Sequence, residues 1–213
     1  MSIINSIDNR YSNLAKSTCC LSCGGAINYA DPLPGEICVD LGSGRGKDCI
    51  TLAEQVGPQG HVFGVDISEG MLEKARTAFA EKGIENIDLL RSAIEIIPLP
   101  DDSVDLLISN CTINHAENKH AVWSEVYRTL KNAGRFVVSD IYSLEPVPEI
   151  YKSNPSAVAE CWAGANTREE YLLTLQNCGF VDIDILEESK PYEKGSIIVS
   201  SFTIRGYKPA CAG

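Results

Sequence analysis

With 213 residues, 44% of them hydrophobic, the chain is long enough for one domain with a substantial core. A formal net charge of −11, with no offsetting lysine–arginine cluster, argues against nucleic acid and anionic membrane surfaces as partners. No run approaches the roughly 18 uninterrupted apolar residues of a spanning helix. The start, MSIINSIDNRYS, lacks the basic, apolar and cleavage-site features of a secretion signal. The nine cysteines, odd in number and irregularly spaced, therefore read as free thiols of a cytoplasmic protein.

In chain order, residues 1–30 form an N-terminal segment that carries Cys19, Cys20 and Cys23. Cys20 and Cys23 make a C-x-x-C, compatible with a zinc half-site, a redox dithiol or chance. No second C-x-x-C completes a structural zinc site. Residues 31–213 read as a single domain. Strands are expected at 36–42, 61–66, 87–90, 104–108 and 135–140. Helices are expected at 47–56, after the cap Ser68, and along the stripe Val122, Val126, Leu130, stopped by Asn132-Ala133-Gly134. Residues 141–165 break the rhythm and read as an irregular cover for a ligand. Thr167 and Glu170 have capping-box spacing for a helix running to about Cys178. Strands at 181–186 and 197–207 then follow one another without a helix. The fold class is α/β: a doubly wound, mostly parallel sheet closed by an antiparallel C-terminal hairpin.

In such a sheet, ligands sit at the carboxyl ends of the strands, where strand order reverses. The first turn there reads Asp40-Leu-Gly42-Ser43-Gly44-Arg-Gly46-Lys-Asp48. Its glycines let backbone pass close under a ligand. Asp66 ends the second strand, placed to accept hydrogen bonds from ribose hydroxyls. A dinucleotide site would place its third glycine one residue later. The acidic residue beside the loop suits a cationic ligand better than a pyrophosphate.

These residues resemble the class I S-adenosylmethionine-dependent methyltransferases, which implies a Rossmann-like fold and S-adenosyl-L-methionine as cofactor. The resemblance spans residues 36–140. It implies that Asp40, Gly42, Ser43, Gly44, Gly46 and Asp48 hold the methionine end, and Asp66 with Ile67 the ribose. Ala93 and Ile94 would flank the adenine, with Asn110 and Cys111 forming the wall near the methyl. The family's usual acidic adenine contact falls on Ala93, and Glu95 stands two positions on.

A narrower resemblance, to the arsenite methyltransferase branch, rests on Cys23-Gly24, Pro34-Gly35-Glu36, Ser109 to Asn114, Ser139-Asp140, Glu160-Cys161-Trp-Ala-Gly-Ala165 and Phe202 to Lys208. It implies Cys23 and Cys161 as the catalytic thiols that bind trivalent arsenic as substrate. It also implies a thiol reductant of the glutathione or thioredoxin kind as partner. The branch's third arsenic cysteine falls on Phe202. Cys19 and Cys20 are open between a replacement thiol and a reducing pair. Soft trivalent arsenic takes thiolate ligands. Three further readings stay open: a small-molecule methyltransferase with a carbon, oxygen or nitrogen acceptor, a sensor without turnover, and, least favoured, a nicotinamide oxidoreductase. Cys38 and Cys49 are expected in the core. His115 is either a general base or a structural residue, and Trp162 and Tyr151 are candidates to cover the pocket.

Overall fold

The computed structural model describes residues 3–15 and 24–210. Alternation of strand and helix begins at β1 (Ile37–Leu41), a buried apolar run, and continues through α2 (Lys47–Val56), β2 (His61–Asp66), α3 (Glu69–Lys82), β3 (Ile87–Arg91) and β4 (Val104–Asn110). Helix α3 starts and stops on local chemistry. Ser68 Oγ accepts from Met71 N–H at the start of α3, and Gly83, at φ +65°, ends it in the left-handed region. Next come α4 (Lys119–Thr129), β5 (Leu130–Ser143), α5 (Glu149–Lys152), α6 (Pro155–Val158) and α7 (Arg168–Asn177). The expected capping box opens α7: Glu170 N–H donates to Thr167 Oγ1, and Thr167 N–H donates to Glu170 Oε2. The last strands are β6 (Val181–Glu188), β7 (Tyr192–Lys194) and β8 (Ile197–Tyr207).

The strands form one eight-stranded sheet in the order β3-β2-β1-β4-β5-β8-β6, with β7 pairing β8. The first five positions are parallel; β8 runs antiparallel to both β5 and β6. The expected C-terminal hairpin is present at the sheet edge, with β8 on its inner side. Order reverses between β1 and β4, the position at which a ligand crevice opens. One face of the sheet is covered by α4 and α7, where Trp123 packs against Phe136, Tyr171 and Phe180 at centroid distances of 4.9 to 5.9 Å. The other face holds α2, α3 and the buried thiols of Cys38 and Cys49, which lie in the core as expected.

Two boundaries differ from the sequence reading. Leu130 does not continue the helical stripe of Val122 and Val126. It begins β5, opposite Val104, because a bulge at Ala133 (φ +63°) lets strand pairing resume at Arg135 beside Leu106. Asn132-Ala133-Gly134 is thus a kink within a strand rather than a helix stop. At the other end, β5 runs on through Ser143, three residues into the segment expected to be irregular. The remainder of that segment holds α5, α6 and a 3-10 turn at Trp162–Gly164, joined by irregular stretches. A helix at the start, α1 (Ile3–Leu14), packs on α3 and α6.

Candidate active site

A cavity of about 800 Å³ lies at the carboxyl ends of β1, β2 and β4, beneath α1. The glycine turn forms its floor. Gly42, Gly44 and Gly46 all have positive φ, at +80°, +52° and +74°. A Cβ on Gly42 would run into Thr112, and one on Gly46 would lie 2.5 Å from the Phe79 ring. Gly44 faces open space. The turn is held from behind, since Gly42 and Ser43 N–H both donate to Val65 O. Ser43 and Gly44 line the cavity, whereas Gly46 serves the turn from outside, by close packing of α2 on α3.

Asp66 joins the two halves of this floor. Its Oδ2 accepts from Gly44 N–H and its Oδ1 from Ser68 N–H, each at 2.8 Å. Burial raises its pKa, and those two N–H groups oppose the rise. Asp40 is buried, accepts from the Cys49 thiol at 3.4 Å, and has its carboxyl pushed up to about 8, first by burial and then by the charge of Asp48. Asp48 is also raised by burial. Three carboxyls crowded on one cavity wall favour a cationic ligand. Ser43 Oγ is buried without a hydrogen-bond partner among the described residues, a vacant polar atom on the same floor. Ile67, Ala93, Ile94 and Glu95 line the side beyond Asp66. The vacant Ser43 Oγ, the open space over Gly44 and the acidic wall together fit a nucleoside bearing a cationic tail.

The buried Asp40 carries a stability consequence. In the unfolded chain an aspartate ionises near about 3.9, whereas folded Asp40 keeps its proton to about 8. Its pKa is raised on folding, so its contribution is most favourable below pH 4 and is lost as pH rises through 8. Thermal melts of the ligand-free protein should show Asp40→Asn level with wild type near pH 4 and increasingly more stable toward pH 8 to 9. A pH-independent difference between the two proteins would contradict this.

Asn110, at the end of β4, ties the floor to the chain ahead of β1. Its Nδ2 donates to Asp48 Oδ2 at 2.9 Å, and its Oδ1 accepts from Ala26 N–H at 3.1 Å. Gly25 N–H donates to Ser139 Oγ, and a Cβ on Gly24 would overlap Asn110. The residues that follow Cys23 in sequence are therefore seated on the ends of β4 and β5. Cys19, Cys20 and Cys23 themselves lie outside the described residues.

Cys161 lies on the far wall, 6% exposed, with a positive φ of +72°. Its Sγ is 2.9 Å from Cys111 O and 2.9 Å from His115 Nε2. His115 Nδ1 donates to Val158 O at 3.0 Å, which leaves Nε2 as the acceptor. Burial lowers its pKa to about 4, so the ring is neutral. Tyr11 of α1 reaches the same Nε2 at 2.9 Å. Trp162 lines the cavity, with Tyr151 edge-on against it at 5.2 Å. Phe202 does not line it: the ring is buried between Tyr142 and Tyr171. Tyr11 and the His115–Cys161 contact were not anticipated from sequence. The apolar spacing of Ile4, Ile7, Tyr11 and Leu14, all on the cavity, is the signal that marks α1.

Fold and site together define a methyl-transferring class: a methyltransferase-domain family model matches residues 33–188, and the chain belongs to that family. Among curated relatives it is 36% identical to an arsenite methyltransferase of Halobacterium salinarum, over 89% of this chain and 51% of that protein. It is 31% identical to the arsenite methyltransferase of Mus musculus, over 82% and 57%. The chain thus spans about half the length of the curated relatives it matches. A solved arsenic(III) S-adenosylmethionine methyltransferase from Chlamydomonas reinhardtii matches with TM-score 0.75 and 28% identity, covering 98% of this chain and 74% of that one. A geranyl diphosphate C-methyltransferase from Streptomyces coelicolor gives TM-score 0.76 at 15% identity, a likeness of fold alone. No helix among the described residues is long and apolar enough to cross a membrane.

Proposed function

We propose that this chain transfers methyl groups from S-adenosyl-L-methionine to trivalent arsenic, presented as arsenite and held by cysteine thiolates. The observation that carries the reading is the placement of Cys161 Sγ on the wall of the cavity whose floor is the glycine turn and Asp66. Bound S-adenosylmethionine supplies an electrophilic methyl on a sulfonium centre.

In this reading Asp40, Gly42, Ser43, Gly44 and Asp48 surround the methionine end, with Gly46 supporting the turn. Asp66 and Ile67 take the ribose, while Ala93 and Ile94 flank the adenine beside Glu95. Asn110 and Cys111 form the wall next to the reacting methyl. Cys161 and Cys23 ligate arsenic, which is soft and keeps a lone pair when thiolate-bound. That lone pair is the nucleophile and carries no proton, so the reaction needs no general base. The chain's task is to fix the acceptor in line and keep water out, which is where most of the rate comes from. Trp162 on the wall and α1 above serve that exclusion.

The setting we propose is cytoplasmic. Cys38, Cys49 and Cys178 are free thiols, and a thiol reductant such as glutathione or thioredoxin would keep the chain's cysteines reduced between turnovers. Cys19 and Cys20 stay open between that reducing exchange and a replacement for the third arsenic thiol. The test uses purified protein, methyl-labelled S-adenosylmethionine and glutathione, with and without arsenite. Label is expected in methylated arsenic only when arsenite is present. Cofactor binding without arsenic product, or label in an oxygen, nitrogen or carbon acceptor independent of thiols, would overturn the acceptor assignment.

A further inference from the structure

We propose that His115, braced by Tyr11, is the positioning residue that aims the Cys161 thiol at its ligand; this rests on the reading of Cys161 as an arsenic ligand. Three observations converge. First, Val158 O accepts both from Cys161 N–H at 2.9 Å and from His115 Nδ1–H at 3.0 Å. The imidazole thus grips the turn that places Cys161 in its left-handed backbone conformation, a conformation that ordinarily favours glycine. Second, the opposite ring nitrogen lies 2.9 Å from Sγ, so one ring holds both the backbone and the side-chain sulfur of the same residue. Third, Tyr11 Oη, 2.9 Å from Nε2, fixes the ring from the cavity side and comes from α1, an element otherwise remote in sequence.

Nε2 has a single lone pair, so when Tyr11 Oη donates to it the Sγ proton goes to the Cys111 carbonyl, 2.9 Å away. The thiol is held by directed contacts on two sides rather than left to choose among rotamers. Ligation exchanges the S–H bond for an As–S bond, and the thiol proton leaves with the hydroxide or thiolate released from arsenic. Nε2 lies 2.9 Å from Sγ as that exchange takes place. Unlike a substrate ligand, His115 acts through Cys161.

His115→Asn separates this role from a structural one. The asparagine amide can still donate to Val158 O but presents nothing at the Nε2 position. His115→Gln extends an amide toward that position instead. The readouts are arsenite-dependent quenching of tryptophan emission, since Trp162 adjoins Cys161, and the KM–kcat split in the methylation assay. His115→Asn should weaken arsenite binding and raise its KM about tenfold, the scale of one directed hydrogen bond. S-adenosylmethionine affinity and melting temperature should hold, and His115→Gln should recover part of the loss. Tyr11→Phe provides a second variant that leaves Val158 untouched, expected to weaken arsenite binding about threefold. Wild-type arsenite binding in both His115→Asn and Tyr11→Phe would overturn the proposal. Unchanged arsenite binding in Cys161→Ser would instead remove the underlying ligand assignment.

Discussion

Cys161→Ser is expected to lower methyl transfer to arsenite by about a hundredfold or more while changing S-adenosylmethionine affinity by less than about threefold, because soft arsenic discriminates strongly against a hydroxyl ligand. The substitution is nearly isosteric. A serine hydroxyl can donate to Cys111 O as the thiol does, so the fold and the turn at φ +72° are retained. What changes is donor softness alone. Asp66 and the glycine turn lie on the other side of the cavity, so cofactor binding serves as the internal control. Calorimetry with S-adenosylhomocysteine, alongside product analysis, separates the two. Retained arsenic methylation would place the acceptor ligands elsewhere.

The second large effect falls on Asp66. Asp66→Asn should weaken S-adenosylmethionine binding about a hundredfold, since hydrogen bonds to a charged group are worth about 1.5–3 kcal/mol. Two opposing terms decide the outcome in the free protein. Losing the charge relieves a desolvated carboxylate, the main cause of its raised pKa. Against that, the new amide turns an N–H₂ toward one of the two backbone donors, Gly44 or Ser68, and unseats it. These terms nearly cancel in stability but not in binding, where, on the proposed assignment, the ribose loses an acceptor and the turn loses its anchor. Titration calorimetry is the measurement; a melting temperature within a few degrees of wild type, with wild-type affinity, would contradict the assignment.

The cofactor half was legible because its signal is local. Glycines at 42, 44 and 46 and an aspartate ending the next strand each answer a backbone requirement at one position. The structure puts positive φ at all three glycines and the Asp66 carboxylate on Gly44 N–H. The thiol half was only partly legible. Cys161 stands out in sequence, but the contacts that hold it join residues 46 and 104 positions apart, and no spacing rule connects Tyr11, His115 and Cys161. Leu130 was misplaced because its stripe with Val122 and Val126 fits a helix, while strand pairing with Val104 is a tertiary matter that periodicity cannot see. Phe202 shows a different limit. Its aromatic partners, Tyr142 and Tyr171, arrive from β5 and α7, so its removal from the cavity wall is settled by the packing of three elements.

The sheet order also sets a schedule for synthesis. β8 pairs with both β5 and β6, which makes the last strand of the described chain an interior one. While a ribosome is still producing residues before 197, β1 to β5 can assemble around the glycine turn, but β6 has no neighbour to pair with. Its edge stays unsatisfied until 197–207 emerge and slot between it and β5, a long-range closure that is slow to form. During that interval the cofactor half exists without the other, and a ligand that binds the turn and Asp66 would act on the nascent chain as a folding partner well before it acts as a reactant.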